Sequence, residues 1–351
     1  MQDFIVHNLP DHPGDIARVS ATEFGISRQA VNRYLRTLKA EKVIEAGGAG
    51  RNTAYSLVVT KHVIPLDIVP GMAEHRVWRD NVAPLLPEMS QNVRDICEYG
   101  FTEIFNNVLD HAESKVVGIA VLYDALMVKL WVWDEGVGIF EKIRTHFGLD
   151  DPREAILELA KGKLTSDPDN HTGEGIFFTS RMFDTFSIKS DGLSFLAEPE
   201  SRGIKDILFE TSGGAKGTAV LMEIRRDSPR TKKAVFDRYS VDDGEFGFSR
   251  TVIPVKLLQY EGESLVSRSQ AKRLIARFER FKEVILDFKG VVTVGQAFSD
   301  EVFRVFRESH PQVNLLYVNA NEEVERMIRR VLQDRALSDS LKGKEGEYTD
   351  A

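Results

Sequence analysis

The sequence predicts a multidomain α+β protein made of three consecutive folded units. Residues 1–60 combine short helical patterns, a basic helix and a glycine-rich hairpin. Residues 91–228 place a polar-striped helix before a strand and two glycine turns, and residues 229–340 alternate strands with helices, as in an α/β domain. The proline-broken residues 61–90 are expected to be a connector, and the polar residues 341–351 a disordered tail.

Composition limits the class of protein to which the chain can belong. The 351 residues carry a formal net charge of −8, which argues against indiscriminate nucleic-acid binding but allows a local basic surface. No run of about 18 apolar residues is present, and the first residues lack a signal-peptide pattern. We therefore expect a cytoplasmic protein without a membrane segment. The single cysteine, Cys97, excludes an internal disulfide and is expected in the core.

The N-terminal unit is organised around a basic helix. Ser27 is a suitable N-cap, and Arg28 to Ala40 follow a helical pattern in which no acid interrupts the positive charges. The residues expected to face a core are Ala30, Val31, Tyr34, Leu35 and Leu38. A hairpin with a glycine-rich basic tip follows at residues 47–52.

This succession of helix, turn, capped basic helix and hairpin resembles a winged helix-turn-helix domain, which implies binding to double-stranded DNA. The side chains expected to contact DNA are Ser27, Arg28, Gln29, Asn32, Arg33 and Arg51. Gln29 and Asn32 are residue types that can read adenine edges. The alternative is a protein-interaction module with solvated basic side chains. The polar character of the exposed face favours DNA.

A polar stripe marks the first helix of the middle unit. Glu103, Asn107 and His111 are spaced four residues apart, so they lie on one face of a helix. Asn107 offers Mg²⁺ a neutral oxygen ligand. Glu103, one turn earlier, is placed to polarise an attacking water or hydroxyl group.

Two glycine turns follow this helix. The alternating strand 128–133 ends at Asp134, which can accept a hydrogen bond from an adenine amino group, while Gly136 and Gly138 leave room for a flat purine. Gly173 and Gly175 precede a predicted helix whose N-terminal amides would face phosphate oxygens. These features together predict ATP binding.

The segment between the two turns, residues 139–172, is expected to form a lid over the nucleotide. Lys161 and Lys163 can pair with phosphates when the lid closes, and Gly162 provides a loose hinge. The alternative is an exposed loop with ordinary lysines.

The order and spacing of these motifs resemble the GHKL ATPase family, which includes gyrase, MutL, histidine kinases and anti-sigma serine kinases. The matching residues are Glu103 and Asn107 in the N box, Asp134, Gly136 and Gly138 in the first glycine box, Gly173 and Gly175 in the second, and Thr218 in the late Gly-Thr strand. The resemblance covers roughly residues 90–226 and implies an α/β-sandwich domain that binds ATP and Mg²⁺. His111 and the alanine after it are closest to the anti-sigma kinases.

The C-terminal unit resembles the STAS domain of anti-anti-sigma factors over Val284 to Phe298. In that family a strand leads into a turn with a phosphorylatable serine or threonine. The turn here has no serine at the expected place, although Thr293 and Ser299 flank it. The resemblance implies contacts with a protein partner or a second copy of the chain, and we expect a homodimer.

Three functional hypotheses follow. The first is an ATP-responsive transcriptional regulator in which Mg-ATP controls assembly or DNA affinity. The second is a serine/threonine kinase of the anti-sigma type that acts on a separate STAS protein. The third is an interaction scaffold in which ATP is only a stabilising ligand. The prolines of residues 61–90 exclude the long dimerisation helix of an orthodox histidine kinase.

Overall fold

The computed structural model describes residues 1–48, 50–164, 173–200, 203–210, 216–241, 248–259 and 263–332. The helices are α1 Gln2–Asn8, α2 Ile16–Glu23, α3 Arg28–Ala40, α4 Glu74–Val77, α5 Gln91–His111, α6 Ile139–Phe147, α7 Glu154–Lys161, α8 Gly175–Met182, α9 Lys232–Arg238, α10 Arg268–Ile275, α11 Gln296–Asp300, α12 Arg307–Ser309 and α13 Glu322–Leu332. The strands are β1 Ile44–Gly47, β2 Ala54–Leu57, β3 Thr60–Asp67, β4 Val116–Tyr123, β5 Met127–Asp134, β6 Thr185–Ser190, β7 Leu193–Glu200, β8 Gly203–Glu210, β9 Thr218–Arg225, β10 Arg250–Pro254, β11 Glu283–Asp287 and β12 Asn314–Val318. The expected tail, residues 341–351, lies outside the described residues.

The first three helices and the β1–β2 hairpin enclose a small core of their own. Val31, Leu35 and Leu38 of α3 are buried in it, as the helical pattern predicts, and Ser27 Oγ accepts a hydrogen bond from the Ala30 amide at 3.2 Å. Tyr34 departs from the prediction, because 40% of it is exposed on the outer face of α3.

The segment expected to be a connector contributes to the central sheet. Thr60–Asp67 forms strand β3, which pairs antiparallel with β4 along its whole length. Alternate residues of β3 are exposed, as in an edge strand, where Pro65 is tolerated. After α4 the chain continues as a π-helical stretch, Trp78–Val82, and the Trp78 ring packs against Phe101 of α5 at 5.6 Å. Trp78 thereby holds this segment against the middle unit.

Seven antiparallel strands form the central sheet in the order β3-β4-β5-β9-β6-β7-β8. The long helix α5 and the shorter α8 pack on one face of this sheet. Successive side chains of a strand point to opposite faces of the sheet, which explains why the helices cover only one face. In β5, Val128, Leu130 and Val132 are fully buried under the helices, whereas Trp131 is 39% exposed on the opposite face. Cys97 of α5 is buried in this core, and burial raises the pKa of its thiol to about 12.

The C-terminal unit has a parallel three-stranded sheet in the order β10-β11-β12. Strand β10 ends at Pro254, and the chain continues as a 3₁₀ turn, Val255–Leu258. Helix α10 ends at Ile275, because Ala276 leaves the helical conformation with ψ of 127° and Arg277 is left-handed with φ of 67°.

The middle and C-terminal units share one continuous apolar core. Aromatic side chains form the junction: the Phe177 ring of α8 lies 4.4 Å from Phe248 and 4.9 Å from Tyr239, and Phe248 in turn contacts Phe281 at 5.2 Å. Burial of large aromatic rings on both sides stabilises this junction strongly. A movement of α8 therefore has consequences for the C-terminal unit.

Among the described residues, no helix is long and apolar enough to cross a membrane.

Candidate functional site

A cavity lies between α5, the end of β5, α6, the start of α8 and β9. Eight of the residues predicted to bind or act on the nucleotide lie in its wall: Glu103, Asn107, His111, Asp134, Gly138, Gly173, Gly175 and Thr218. These residues come from four stretches of chain that are far apart in sequence. The fold thus brings the polar stripe and the glycine turns to a single place.

Glu103, in the polar stripe of α5, lies against Gly175 at the N-terminus of α8. A Cβ atom added at Gly175 would lie 2.0 Å from the Glu103 Oε2 atom, well inside van der Waals contact. Only a glycine at this position therefore leaves the Glu103 carboxylate its place in the cavity. Asn107 lies one helical turn further along the same wall.

Asp134 ends β5 with its carboxylate inside the protein. Only 5% of the residue is exposed, and its Oδ1 atom accepts a hydrogen bond from the Gly136 amide at 2.8 Å. Burial raises the pKa of the carboxyl, and backbone hydrogen bonds from Gly136 and Thr218 oppose that rise. The carboxylate is therefore held in a fixed orientation at the base of the cavity.

The backbone around Asp134 has no room for additional atoms. A Cβ at Gly136 would lie 1.8 Å from the Ala112 carbonyl oxygen, and one at Gly217 would lie 2.2 Å from the Asp134 carbonyl oxygen. Gly138 has φ of 86°, a conformation that favours glycine, and its Cβ would meet the Asp191 carboxylate. These glycines allow the turn to close tightly around Asp134.

Thr218 connects β9 with the start of α6. Its Oγ1 atom accepts a hydrogen bond from the Ile139 amide at 3.0 Å, which satisfies one of the unpaired donors at the N-terminus of α6. Thr218 also lines the cavity beside Asp134. The hydrogen bond thus sets the position of the α6 wall relative to the sheet.

Helix α6 contributes cavity residues that the sequence reading missed. Lys142, Ile143, His146 and Phe147 all line the cavity. Lys142 Nζ donates to the His111 carbonyl oxygen at 2.5 Å and to Glu113 at 3.0 Å, so it bridges α6 and the end of α5. The i, i+4 spacing of Lys142 and His146 places both side chains on one face of α6, but only the packing of α6 beside α5 directs that face into the cavity.

Lys161 and Lys163 are not brought to the cavity wall. Lys161 is 1% exposed, and its Nζ donates to Glu158 at 2.8 Å and to the carbonyl oxygens of Arg273 and Ala276 at 2.8 and 3.1 Å. Burial lowers its pKa to about 7. Both bonded carbonyls belong to the C-terminal unit, so Lys161 joins α7 to that unit.

Lys163 makes a similar connection. Its Nζ donates to the Arg280 carbonyl oxygen at 2.9 Å, and the Arg280 guanidinium donates back to the Lys163 carbonyl oxygen at 3.1 Å. Residues 165–172 of the expected lid lie outside the described residues.

A magnesium ion would need ligands besides protein side chains. Within the part of the chain that the structure describes, no group of three or more His, Cys, Asp or Glu side chains could hold a metal ion. Asn107 in the cavity wall is one neutral oxygen donor. Mg²⁺ commonly takes the remaining ligands from water and phosphate, so this donor set fits a nucleotide-bound ion.

The residues expected to contact DNA lie on one exposed face of the N-terminal unit. Ser27, Arg28, Gln29, Asn32 and Arg33 are all exposed around the first two turns of α3. Tyr34 adds a half-exposed aromatic ring nearby. The side chain of Arg51 lies outside the described part of the chain.

The position of Lys161 leads to a prediction about stability. Replacing Lys161 with Met removes the buried donor of two carbonyl oxygens, so the free energy of unfolding should fall by on the order of 2 kcal/mol. Because burial lowers the Lys161 pKa to about 7, the unfolded wild-type chain binds more protons between about pH 7 and its ordinary value of 10.5. Wild-type stability should therefore rise with pH across that window relative to the variant.

Urea unfolding over this pH range provides the measurement, with the exposed Lys115→Met as the control. Equal stability of Lys161→Met and wild type at every pH would contradict the buried role of Lys161.

Comparison with known proteins identifies one part of the chain. Residues 270–325 match the family described as "STAS-like domain of unknown function (DUF4325)". A search of curated proteins found no match to the chain. The match covers α11 and the strands β11 and β12. Ser299, in α11, is fully buried. The C-terminal unit is therefore STAS-like, with no exposed hydroxyl at Ser299 to accept a phosphoryl group.

Proposed function

We propose that this chain is an ATP-binding, DNA-binding transcriptional regulator in which Mg-ATP controls assembly or DNA affinity. The observation that carries the proposal is the convergence of Glu103, Asn107, Asp134 and Gly175 on one cavity. This convergence supports the GHKL-type α/β sandwich that the motifs imply. Gly-x-Gly turns that occur in a sequence by chance would not be expected to lie beside a polar helix stripe in the folded chain.

The cavity suits an adenine nucleotide at one end and phosphates at the other. Asp134, buried and held by the Gly136 amide, supplies an acceptor for the adenine amino group. Apolar side chains such as Val132, Ile139 and Ile143 in the wall suit the faces of a purine. At the other end, the N-terminus of α8 at Gly175 presents backbone amides that favour phosphate oxygens.

Asn107 and Glu103 have separate proposed roles on α5. Asn107 would hold Mg²⁺, and bound Mg-ATP would supply a phosphoryl group activated for transfer to water or a hydroxyl. Glu103 would take the proton from that attacking group. Gly175 has no side chain, so the Glu103 carboxylate can occupy the space beside it.

DNA binding is proposed for the exposed face of α3, which supports a winged helix-turn-helix assignment of residues 1–60. The exposed side chains carry positive charge and hydrogen-bonding groups rather than apolar surface. A module used only to bind protein would be expected to expose more apolar residues there. Arg28 and Arg33 would contact phosphates, while Gln29 and Asn32 would face base edges.

Coupling between the nucleotide and the rest of the protein is proposed to pass through α7 and α8. Phe177 lines the cavity and also stacks on Phe248, next to the STAS-like unit. Glu154 and Glu158 of α7 form ion pairs with Arg273 and Arg277. A nucleotide that binds one arrangement of these elements better than another shifts the equilibrium between them.

The kinase alternative rests on the STAS-like unit in the same chain. A kinase that recognises STAS partners would be expected to have a surface for that fold, and α7 already contacts this one. Transfer of label from γ-labelled ATP to an added protein would favour a kinase, whereas nucleotide-dependent retention of DNA would favour a regulator. ATP binding without either activity would leave a scaffold.

The first prediction of this proposal concerns Asp134. Asp134→Asn replaces an acceptor with a group that also donates, so ATP affinity should fall by about 1–3 kcal/mol, which is roughly fivefold to 150-fold. Because burial raises the Asp134 pKa, ATP affinity of the wild type should also fall as the pH drops through that raised value. Isothermal titration calorimetry measures both effects.

The matched control is Glu135→Gln, which removes the adjacent exposed carboxylate. Unchanged ATP affinity in Asp134→Asn would remove the adenine role of this residue.

The second prediction concerns DNA. Arg28→Ala combined with Arg33→Ala should weaken duplex binding, and the slope of log affinity against log salt should decrease by about one for each lost phosphate contact. Arg326→Ala combined with Arg330→Ala is the control, because it removes two exposed arginines from α13 of the STAS-like unit. Fluorescence anisotropy at several salt concentrations gives the slopes. Absence of duplex binding by the wild type at low salt, with and without ATP, would overturn the regulator proposal.

A further inference from the structure

The face of the central sheet opposite α5 and α8 carries large apolar side chains in contact with solvent. Trp131 of β5 is 39% exposed and Val63 of β3 is 52% exposed. Both line a broad groove on this face together with Trp133 and Leu122. Exposed tryptophans are costly on a surface that stays in water, so such a patch indicates a surface that is covered in function.

The strand register makes these side chains one continuous surface. Val63 pairs with Ala120, Ala120 with Trp131, and Trp131 with Leu221, so a row of apolar residues crosses β3, β4, β5 and β9. In the next row, Trp133 pairs with Gly118. A Cβ at Gly118 would lie 2.0 Å from the Trp133 ring, so the indole lies directly over this glycine. The small residues let the two tryptophans lie close to the sheet.

Charged side chains of both signs surround the apolar rows. Lys61, Lys189 and Lys216 line the groove and are exposed, and so are Glu135 and Asp191. A two-fold symmetric contact brings the same patch of both copies together, so charges can pair across it only if one patch carries both signs, as this patch does. A nucleic-acid strand is less suitable, because its phosphates would lie against Glu135 and Asp191.

We propose that this open sheet face, defined by Val63, Trp131 and Trp133, is the contact between two copies of this chain. The tryptophans form the apolar centre of the contact, and the lysines of one copy pair with the acids of the other around the rim. The dimer so formed leaves α5, α8 and the cavity between them on the outer sides. The groove and the helices lie on opposite faces of the sheet, and the two sites meet only where the groove reaches Asp134 and Thr218, which also line the cavity.

The test measures the molar mass of the full chain without nucleotide, by light scattering over a dilution series. The wild type should have twice the 39.6 kDa mass of one chain at high concentration. Trp131→Glu and Val63→Glu should each shift the mass to that of a single chain. Val69→Glu is the matched control: Val69 is 53% exposed, six residues from Val63 and outside the groove, and this variant should stay dimeric.

Two further measurements keep the test decisive. Circular dichroism melting confirms that each variant is folded. In the wild type alone, tryptophan emission should shift to the red on dilution, because two of the three tryptophans lie on the contact face and the third, Trp78, is buried. Single-chain mass of the wild type throughout, or a folded Trp131→Glu that remains dimeric, would overturn the proposal. Retention of single-stranded nucleic acid by a monomeric wild type, lost in Trp131→Glu, would assign the face to nucleic acid instead.

Discussion

The close approach of α5 and α8 is the constraint on which the candidate site depends. Two glycines leave room there for the side chains that lie between the helices. A Cβ at Gly100 of α5 would lie 2.4 Å from the Phe183 ring that follows α8, and a Cβ at Gly175 of α8 would lie 2.0 Å from the Glu103 carboxylate. Gly100 and Glu103 are one turn apart on the same face of α5. A side chain at either glycine would displace the Phe183 ring or the Glu103 carboxylate from its place beside the cavity.

The same helix pair connects the cavity to the STAS-like unit. Phe177 of α8 lines the cavity and contacts the aromatic rings of Tyr239 and Phe248. Lys161, at the end of α7, donates to two carbonyl oxygens of the STAS-like unit from a fully buried position. Ligand binding at the cavity and partner binding at the STAS-like unit would therefore share a coupling free energy. That coupling acts equally in both directions.

Much of the candidate site could be predicted from local sequence patterns. The i, i+4 stripe of Glu103 and Asn107, the strand ending at Asp134 and the cap at Ser27 depend on neighbours within a few residues, and the structure has each where the pattern places it. The match of residues 270–325 to a STAS-like family likewise agrees with the strand–helix alternation seen there.

Features that depend on distant parts of the chain could not be predicted. Strand β3 contains Pro65 and several polar residues, and it is stabilised by pairing with β4, which begins only at Val116. The hydrogen-bond partners of the Lys161 side chain are the carbonyl oxygens of residues 273 and 276, which no local sequence pattern indicates. Tyr34 fits the helical period of α3 but lies at the edge of the apolar face of that helix. Burial at such an edge depends on which other elements pack beside it, and Tyr34 is 40% exposed.

The central claim is that the buried carboxylate of Asp134 recognises adenine in this cavity. Calorimetric titration of the wild-type chain with Mg-ATP and with Mg-GTP tests it most directly. Adenine presents an amino donor where guanine presents a carbonyl oxygen, and a carboxylate repels that oxygen. The account predicts that GTP binds at least about tenfold more weakly than ATP, the equivalent of one lost hydrogen bond. Equal affinity for the two nucleotides, or binding of neither, would contradict it.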